Sequence, residues 1–329
     1  MAERPILVTG ANGFIGFALI KFLLEKSALI FATCRVAEPK LLRLEAENKN
    51  LTIIPNCDLT DISALVMLPK NMDLVVHCMG LAKFEGAKKS ELFKANVLAT
   101  KNLLDYLSEL KHKPKRFIYL SSIGVHDRKV FGSSRELLTE NSECRPSTYY
   151  GETKLLAEKV LQDYPLPFII ARLGWVYGPD MRSDSHIRFF AEHCRKNSLL
   201  SKIDFPGRIM ATYIDDVCKS IDYLLFVEKP KYKTYLVVGD HPVALGQLFQ
   251  LVKKVIQIPS SFIIKKKTLK VMLLVSRFFP MKIRTVLEEN YLAASNSRLR
   301  EEGLHLNKPL EDGLRESIKK GGWFDENTA

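Results

Sequence analysis

The sequence lacks the patterns that mark membrane-spanning, secreted and zinc-binding proteins. Its longest apolar run, 271–279, has about half of the roughly 18 residues that a membrane-spanning helix needs, and it includes Arg277. An apolar run begins already at Ile6, which leaves no room for the charged and apolar regions of a signal peptide. The six cysteines form no C-x-x-C pair. We therefore expect a cytoplasmic protein with free thiols and no metal site.

Acidic residues are absent from 241–287, where nine lysines and arginines occur. The whole chain carries 49 basic and 37 acidic residues, which gives a net charge of +12. The interleaved basic and aromatic residues of nucleic-acid-binding modules are missing, so we expect no nucleic-acid partner. The basic, partly apolar segment 262–280 fits a solvated helical face, and it also fits peripheral contact with an anionic membrane surface. Both interpretations stay open.

The chain has the composition of a folded protein, with 47% hydrophobic and 26% charged residues in a length of 329. Over residues 1–180, β-type runs alternate with helical patterns, which is typical of repeated βαβ units. We predict the α/β class, with a doubly wound (Rossmann) parallel sheet in 1–178. We predict a smaller substrate-binding region in 179–329, from which some segments return to the sheet. The predicted strands are 6–9, 29–34, 51–55, 73–77, 116–120 and 168–172, and the predicted helices are 16–24, 91–110 and 150–162.

Three glycines, spaced G-x-x-G-x-x-G, lie between the first strand and the first helix. A pyrophosphate needs backbone N–H groups at close range and the positive end of a helix dipole. The first glycine suits the tight turn, the second admits the phosphates, and the third lets the helix pack on the strand. We therefore predict a dinucleotide-binding turn. Its residues are Gly10, Asn12, Gly13, Phe14, Ile15 and Gly16.

The end of the second predicted strand indicates which dinucleotide binds. An acid at this position would bind the ribose of NAD, but the chain has Arg35, whose guanidinium can pair with the 2′-phosphate of NADP. The sequence thus favours NADP, with NAD and a plain surface role for Arg35 left open. After the third strand, Asp58 and Leu59 are predicted to meet the adenine. Alternatively, Asp58 caps the helix that begins there.

Tyr150 and Lys154 lie four residues apart and so on one face of a predicted helix. A tyrosine hydroxyl titrates near about pH 10, and it needs a favourable neighbour to exchange protons at neutral pH. A lysine ammonium one turn away supplies one, together with the positive nicotinamide of an oxidised cofactor. Ser122, at the end of the fifth strand, can hydrogen-bond the substrate oxygen. Tyr149 stays a competitor, although no lysine follows it by four residues.

These motifs, taken together and in this order, resemble the extended short-chain dehydrogenase/reductase family of the NAD-dependent epimerase/dehydratase type. That family includes nucleotide-sugar epimerases, dehydratases and reductases, dihydroflavonol reductases and 3β-hydroxysteroid dehydrogenases. The matching residues are Gly10, Gly13, Gly16, Asp58, Asn96, Ser122, Tyr150, Lys154, Arg172 and the segments 174–179 and 213–217.

The resemblance implies a catalytic trio of Ser122, Tyr150 and Lys154. It further implies that Asn96 supports a proton relay through a water, that Arg35 contacts the NADP phosphate, and that the protein is a homodimer. The sequence departs from the family pattern at three places near these residues. Ala99 stands where a glycine usually precedes the threonine of the Asn96 motif. Residues 78–80 are Cys-Met-Gly where two alanines usually follow the histidine of strand four, and 125–127 are Val-His-Asp where Val-Tyr-Gly is usual.

The residues around the predicted site narrow the reaction. No Asp-Glu pair follows Ser122, as it does in the family's dehydratases, and Arg35 favours exchangeable NADPH over the tightly held NAD of an epimerase. We expect hydride transfer at a keto or hydroxyl carbon of a nucleotide-linked sugar, by a 4-keto reductase or an epimerase. Arg208 is the candidate for the substrate diphosphate, or else a surface arginine. An enzyme for apolar ketones at a membrane surface and a non-catalytic NADP-binding subunit remain as alternatives.

Overall fold

A seven-stranded sheet forms the centre of the computed structural model, which describes residues 4–82, 87–126, 137–205, 207–260 and 293–324. The order of its strands is β3-β2-β1-β4-β5-β6-β10, and every pair from β3 to β6 is parallel. The predicted α/β class with a doubly wound parallel sheet is therefore confirmed. The strands are β1 (Ile6–Thr9), β2 (Ile30–Thr33), β3 (Leu51–Ile54), β4 (Leu74–His77), β5 (Arg116–Ser122), β6 (Phe168–Leu173), β7 (Trp175–Tyr177), β8 (Arg208–Ile209), β9 (Ala211–Tyr213), β10 (Thr234–Val237) and β11 (Val243–Ala244).

Helices cover the sheet because its strands are apolar on both faces. One continuous core cluster joins Leu7 of β1, Val75 of β4 and Phe117 of β5 to two of the helices, and all three side chains are 0% exposed. The helices are α1 (Phe14–Leu24), α2 (Pro39–Glu47), α3 (Lys89–Phe93), α4 (Ala99–Glu109), α5 (Tyr149–Gln162), α6 (His186–Arg195), α7 (Ile214–Phe226), α8 (Leu245–Val255), α9 (Ser297–Glu301) and α10 (Leu310–Lys320). Helices α4 and α5 contribute Leu103, Leu104, Leu107, Ala157 and Leu161 to the cluster.

The helix predicted at 91–110 is interrupted in the structure. A π-helical segment, Lys94–Leu98, separates α3 from α4. The Thr100 hydroxyl donates to the Asn96 carbonyl at 2.8 Å, and so competes for the acceptor that a regular α-helix would offer to a backbone N–H. Segments of this kind occur often at functional sites.

The chain divides into two compact units. The first comprises Met1–Asp127, Ser142–Leu173 and Val217–Leu236, and the second comprises Arg128–Asn141, Gly174–Asp216 and Val237–Ala329. Within the second unit, β7 pairs with β9 in parallel and β8 pairs with β11 antiparallel. The structural division thus follows Leu173, while the functional boundary at residue 178 stays a prediction.

None of the helices in the described part of the chain is long and apolar enough to cross a membrane. The segment 262–280, for which the sequence leaves membrane contact open, lies outside the described residues.

Candidate active site

The glycine-rich turn lies where the strand order reverses, between β1 and β4, at the carboxyl ends of both strands. Gly10 has a φ of +71°, and a Cβ atom there would lie 2.9 Å from the backbone of Met79. At Gly16 a Cβ would lie 2.3 Å from the Gly10 carbonyl oxygen. Gly13 begins α1 with no side-chain cap, so N–H groups of the first turn point toward the space above the turn. These residues fit the pyrophosphate of a dinucleotide.

Asn12 ties this turn to the loop after β2. Its side-chain amide donates to the Val36 carbonyl and accepts the Glu38 N–H at 3.4 Å. Lys40 also reaches the turn, donating to the Asn12 carbonyl at 3.3 Å. Arg35 is exposed at the start of the same loop. The structure therefore brings Arg35 beside the glycine-rich turn, as binding of one cofactor by both would require.

Asp58 follows β3, but it caps no helix. One of its carboxylate oxygens accepts the N–H and the hydroxyl of Thr60, at 2.9 and 2.8 Å. The 3₁₀ helix Ile62–Met67 is capped instead by Asp61, which accepts the Ser63 N–H, so the capping alternative for Asp58 is wrong. The Leu59 side chain is only 1% exposed. Adenine binding by these two residues stays a prediction.

The start of α5 determines where Tyr150 lies. The Thr148 side chain caps the helix by accepting the Gly151 N–H at 3.1 Å. A Cβ at Gly151 would lie 2.4 Å from the Gly124 carbonyl oxygen, so only glycine lets α5 approach the 3₁₀ helix Ile123–His126 this closely. That 3₁₀ helix directly follows Ser122, and the close approach brings Tyr150 next to Ser122.

The side chains of Ser122 and Tyr150 border the same space at Gly124, where a Cβ would lie 3.3 Å from Ser122 Oγ and 3.9 Å from the Tyr150 ring. The Ser122 hydroxyl also accepts the Gly124 N–H at 3.1 Å. Burial raises the pKa of Tyr150, and hydrogen bonding by Ser122 opposes that shift. That Lys154 and an oxidised nicotinamide favour the phenolate of Tyr150 stays a prediction.

Lys154 lies on the same helix, 5% exposed, among groups that suit a cation. Its Nζ donates to the Leu120 carbonyl at 2.8 Å and lies 4.9 Å from the centroid of the Tyr119 ring. Burial lowers the pKa of Lys154 to about 8, and the Glu158 carboxylate opposes this shift. Burial raises the pKa of the neighbouring Cys78 thiol to about 12, so this cysteine stays protonated at neutral pH.

Asn96 lies in the π-helical segment and is 1% exposed. Its Oδ1 accepts the Leu81 N–H at 2.7 Å, and its Nδ2 donates to Thr153 of α5 at 3.0 Å. A Cβ at Gly80 would lie 3.0 Å from Lys154 Nζ and 3.1 Å from Asn96 Oδ1. The structure thus brings Asn96 near Lys154, and the glycine between them leaves space beside both polar atoms.

A buried chain of hydrogen bonds runs from Thr9, directly before the glycine-rich turn, to Asn96. Thr9 accepts the Met79 N–H at 3.3 Å and donates to His77 Nδ1 at 2.7 Å, and His77 Nε2 donates to Thr100 at 3.0 Å. Because Thr100 donates in turn to the Asn96 carbonyl, every bond runs in one direction, with the proton of His77 on Nε2. Burial lowers the pKa of His77 to about 3, so the ring is neutral.

Arg208 and the neighbours of Lys154 complete the comparison with the predicted site. Arg208 belongs to the second unit, where it is exposed on β8, and its role in substrate binding stays a prediction. Sequence reasoning missed Tyr119 and Glu158 as neighbours of Lys154. The spacing Y-x-x-x-K-x-x-x-E contained a signal for Glu158, since it puts the acid on the helical face of Lys154.

A model of the NAD-dependent epimerase/dehydratase family matches residues 6–237 of this chain. The chain belongs to that family. This membership confirms the resemblance drawn from the motifs. It also supports an enzyme of the oxidoreductase or epimerase kind.

Relatives of this family member carry several sugar-nucleotide activities in their names. The chain is 30% identical over 239 residues to the uncharacterized UDP-glucose epimerase YtcB of Bacillus subtilis, with 67% of this chain and 72% of the relative covered. It is 26% identical over 275 residues to a dTDP-4-dehydro-6-deoxy-D-allose reductase of Streptomyces, covering 78% and 83%. The structure of UDP-glucuronic acid 4-epimerase from Bacillus cereus, in complex with UDP-glucuronic acid and NAD, matches with a TM-score of 0.78 at 21% identity over 97% and 99% of the chains. This last likeness shows the fold.

Proposed function

We propose that this protein is an NADPH-dependent reductase of a keto group on a nucleotide-linked sugar. The observation that carries the proposal is that Ser122 and Tyr150 border the same space at Gly124, with Lys154 one helical turn away. The trio lies at the carboxyl edge of the sheet, on the same edge as the glycine-rich turn. Ligands bind at this edge in doubly wound sheets.

The residues of the trio divide the work of a carbonyl reduction. The reduced cofactor, when bound, supplies a hydride to the carbonyl carbon. Tyr150 gives its hydroxyl proton to the carbonyl oxygen, and Ser122 hydrogen-bonds that oxygen and stabilises its growing negative charge. Lys154 then replaces the proton on Tyr150 from solvent, with Asn96 at the inner end of the path. The hydride and the Tyr150 proton together convert the ketone to an alcohol.

NADPH is proposed because of Arg35. Asn12 holds the loop that begins with Arg35 against the glycine-rich turn, and a guanidinium on that loop is within the family's reach of a phosphate on the ribose. Glu38 on the same loop is paired with Lys40 at 3.4 Å, which offsets its repulsion of a phosphate. A nucleotide-linked substrate is proposed from the relatives, since the reductase and the epimerases among them are named for UDP or dTDP sugars.

An epimerase with tightly held NAD is the second candidate. The relative from Bacillus subtilis is named as an epimerase, and the neighbouring structure from Bacillus cereus contains NAD. The same trio serves both reactions, because an epimerase oxidises the sugar and then reduces it from the other face. The two candidates differ in cofactor exchange: a reductase consumes added NADPH, and an epimerase consumes none.

Substitution of Tyr150 tests the proposal. The wild type should oxidise NADPH with nucleotide-linked 4-keto sugars and not with apolar ketones. Tyr150→Phe should lower kcat about 10²- to 10⁴-fold, since it removes the acid, and leave the Kd for NADPH within about threefold. The matched control is Tyr149→Phe, on the same helix as Tyr150. The Tyr149 ring lies under Lys89 of α3, and this variant should keep kcat within about threefold.

The other outcomes identify the alternatives. Interconversion of UDP sugars without NADPH consumption would support the epimerase. Turnover of apolar ketones alone would move the substrate to the membrane-surface alternative. NADPH binding without any turnover would contradict catalysis, and full activity in Tyr150→Phe would show that the acid is another group.

A further inference from the structure

A buried ion pair lies directly beneath the trio. Arg172 of β6 holds Glu158 of α5 through two hydrogen bonds, from Nε to Oε1 at 3.0 Å and from Nη2 to Oε2 at 2.7 Å. Ser121 of β5 donates to the same Oε1 at 2.5 Å. Glu158 is 1% and Arg172 7% exposed. Both oxygens of the carboxylate are therefore engaged in the interior.

His126 extends this cluster to the 3₁₀ helix after Ser122. Arg172 Nη1 lies 2.8 Å from His126 Nε2, and His126 Nδ1 lies 3.2 Å from the Glu143 carbonyl oxygen. A guanidinium only donates, so Nε2 is the acceptor and the proton of the ring is on Nδ1. His126, which is 1% exposed, is accordingly neutral in this arrangement.

The cluster contacts the chain on both sides of Ser122. Ser121 precedes it on β5, and His126 ends the 3₁₀ helix that follows it. Glu158 lies one turn beyond Lys154 on the helix that also carries Tyr150. The β5–β6 register pairs Ser121 with Arg172 and so brings the parts of the cluster together. The relative position of Ser122 and Tyr150 depends on these contacts.

Stability alone does not call for such a cluster. A buried ion pair is expensive to desolvate, and well-packed apolar residues often replace one without loss of stability. Here two segments bond to one charged pair, since Ser121 of β5 donates to Glu158 and His126 of the 3₁₀ helix accepts from Arg172, and both segments adjoin Ser122. This pattern suits a device that holds reacting groups in register.

We propose that Glu158 is a positioning residue, which, through Ser121, Arg172 and His126, fixes Ser122 against Tyr150 for proton transfer. The inference rests on the proposed function, because it assigns Tyr150 as the acid. Glu158 itself touches neither substrate nor cofactor in this account.

The test compares variants of the full-length protein by kinetics and by titration. Glu158→Gln/Arg172→Met removes the pair without leaving one charge buried alone, and Ser121→Ala removes a single hydrogen bond with little risk to folding. We expect kcat to fall about 10- to 100-fold in the double variant and about threefold in Ser121→Ala, with KM and the Kd for NADPH within about threefold.

Titration of Tyr150 gives a readout that does not depend on turnover. Its phenolate absorbance is measured as the difference between each protein and the same protein with Tyr150→Phe. Because hydrogen bonding by Ser122 opposes the raised pKa of Tyr150, displacement of Ser122 should move this titration to higher pH. If the cluster had only a structural role, its removal would lower the unfolding temperature without moving the Tyr150 titration.

The control removes another ion pair of the same sheet. Lys115 and Asp73 precede β5 and β4 at the amino edge and are 2.9 Å apart. Lys115→Met/Asp73→Asn should change neither kcat nor the Tyr150 titration. The proposal is overturned if the folded double variant keeps both wild-type values, or, should that variant not fold, if Ser121→Ala keeps both. If the wild type has no turnover but the variants still shift the Tyr150 titration, the proposed function is refuted, while the positioning of Ser122 against Tyr150 by the cluster stands.

Discussion

Two cationic side chains of the site differ in how they meet solvent. Lys154 is buried beside Tyr150, and its charge therefore depends on pH near neutrality. Arg35 is exposed, and a guanidinium stays charged at any pH that a protein tolerates. The first suits proton transfer and the second suits permanent attraction of a phosphate. The pH dependence of the rate therefore tests Lys154, and the affinities for the two cofactors test Arg35.

Reduction should lose rate as Lys154 loses its proton. Burial lowers the pKa of Lys154 to about 8, so the ammonium is present below that pH and is lost as the pH rises through it. We expect kcat/KM for the ketone to be constant below about pH 7 and to fall about tenfold per unit well above pH 8. Initial rates measured between pH 6 and about 10 check this, and a constant rate up to about pH 9.5 would contradict it.

Substitution of Arg35 should separate the two cofactors. A charge-assisted pair with the 2′-phosphate stabilises binding by about 1.5–3 kcal/mol, so Arg35→Ala should raise the Kd for NADPH about 10- to 100-fold. NADH lacks that phosphate, and its Kd should change by less than about twofold. Arg43→Ala, an exposed arginine on the neighbouring α2, is the control and should change neither value. Equal losses for both cofactors in Arg35→Ala would remove the argument for NADPH.

At the scale of elements, two helices supply the site in different ways. Helix α5 presents Tyr150, Lys154 and Glu158 at intervals of four residues, so its regular period aligns them on one face. The stretch formed by α3 and α4 instead has an irregular period, because the π-helical segment that contains Asn96 interrupts it. The interruption aims Asn96 at Thr153 of α5.

The contact between β1 and α1 requires glycine at position 16. In Gly16→Ala, the new methyl group would overlap the Gly10 carbonyl, 2.3 Å from the ideal Cβ. We expect a loss of about 1–3 kcal/mol in the free energy of unfolding, measured in urea, and a weaker Kd for NADPH because the turn moves. Gly303→Ala is the control: it meets no atom within 4 Å, and its positive φ of 86° costs about 1–2 kcal/mol without affecting the cofactor.

A Gly16→Ala protein with unchanged stability and cofactor affinity would show that helix and turn can separate freely. In that case the close packing would not determine the shape of the phosphate site.

At the scale of the whole molecule, the sheet order creates the site. Strands β1 and β4 are neighbours in space although β2 and β3 intervene in the chain, and this reversal opens the crevice above Gly10. The first unit also takes back residues 217–236 from the second half of the chain. Arg116 of β5 secures that return, donating to the carbonyls of Leu224 and Leu225 at the end of α7, at 2.9 and 3.0 Å.

The six strands predicted up to residue 172 are confirmed with small shifts of their ends, because each is a short apolar run bounded by turn residues. The interruption at Asn96 was not predictable from periodicity, since the apolar spacing of 91–110 continues through it. The capping role considered for Asp58 failed because two acids, Asp58 and Asp61, follow β3, and only the second stands next to the 3₁₀ helix. Local sequence did not distinguish them.

The sequence by itself determined the glycine-rich turn and the placement of Tyr150 and Lys154 on one helical face, because each depends on spacing within one turn or helix. It also determined the family, because the motifs follow one another in the family's order along the chain. Only the tertiary structure decided what surrounds Lys154 and Ser122: the Leu120 carbonyl, the Tyr119 ring and the cluster around Glu158. These neighbours come from β5, β6 and α5, which are distant in the chain; Ser121 and Glu158, for example, are 37 positions apart. Burial then sets the pKa of Lys154, and burial is a property of the packed sheet and helices rather than of any segment.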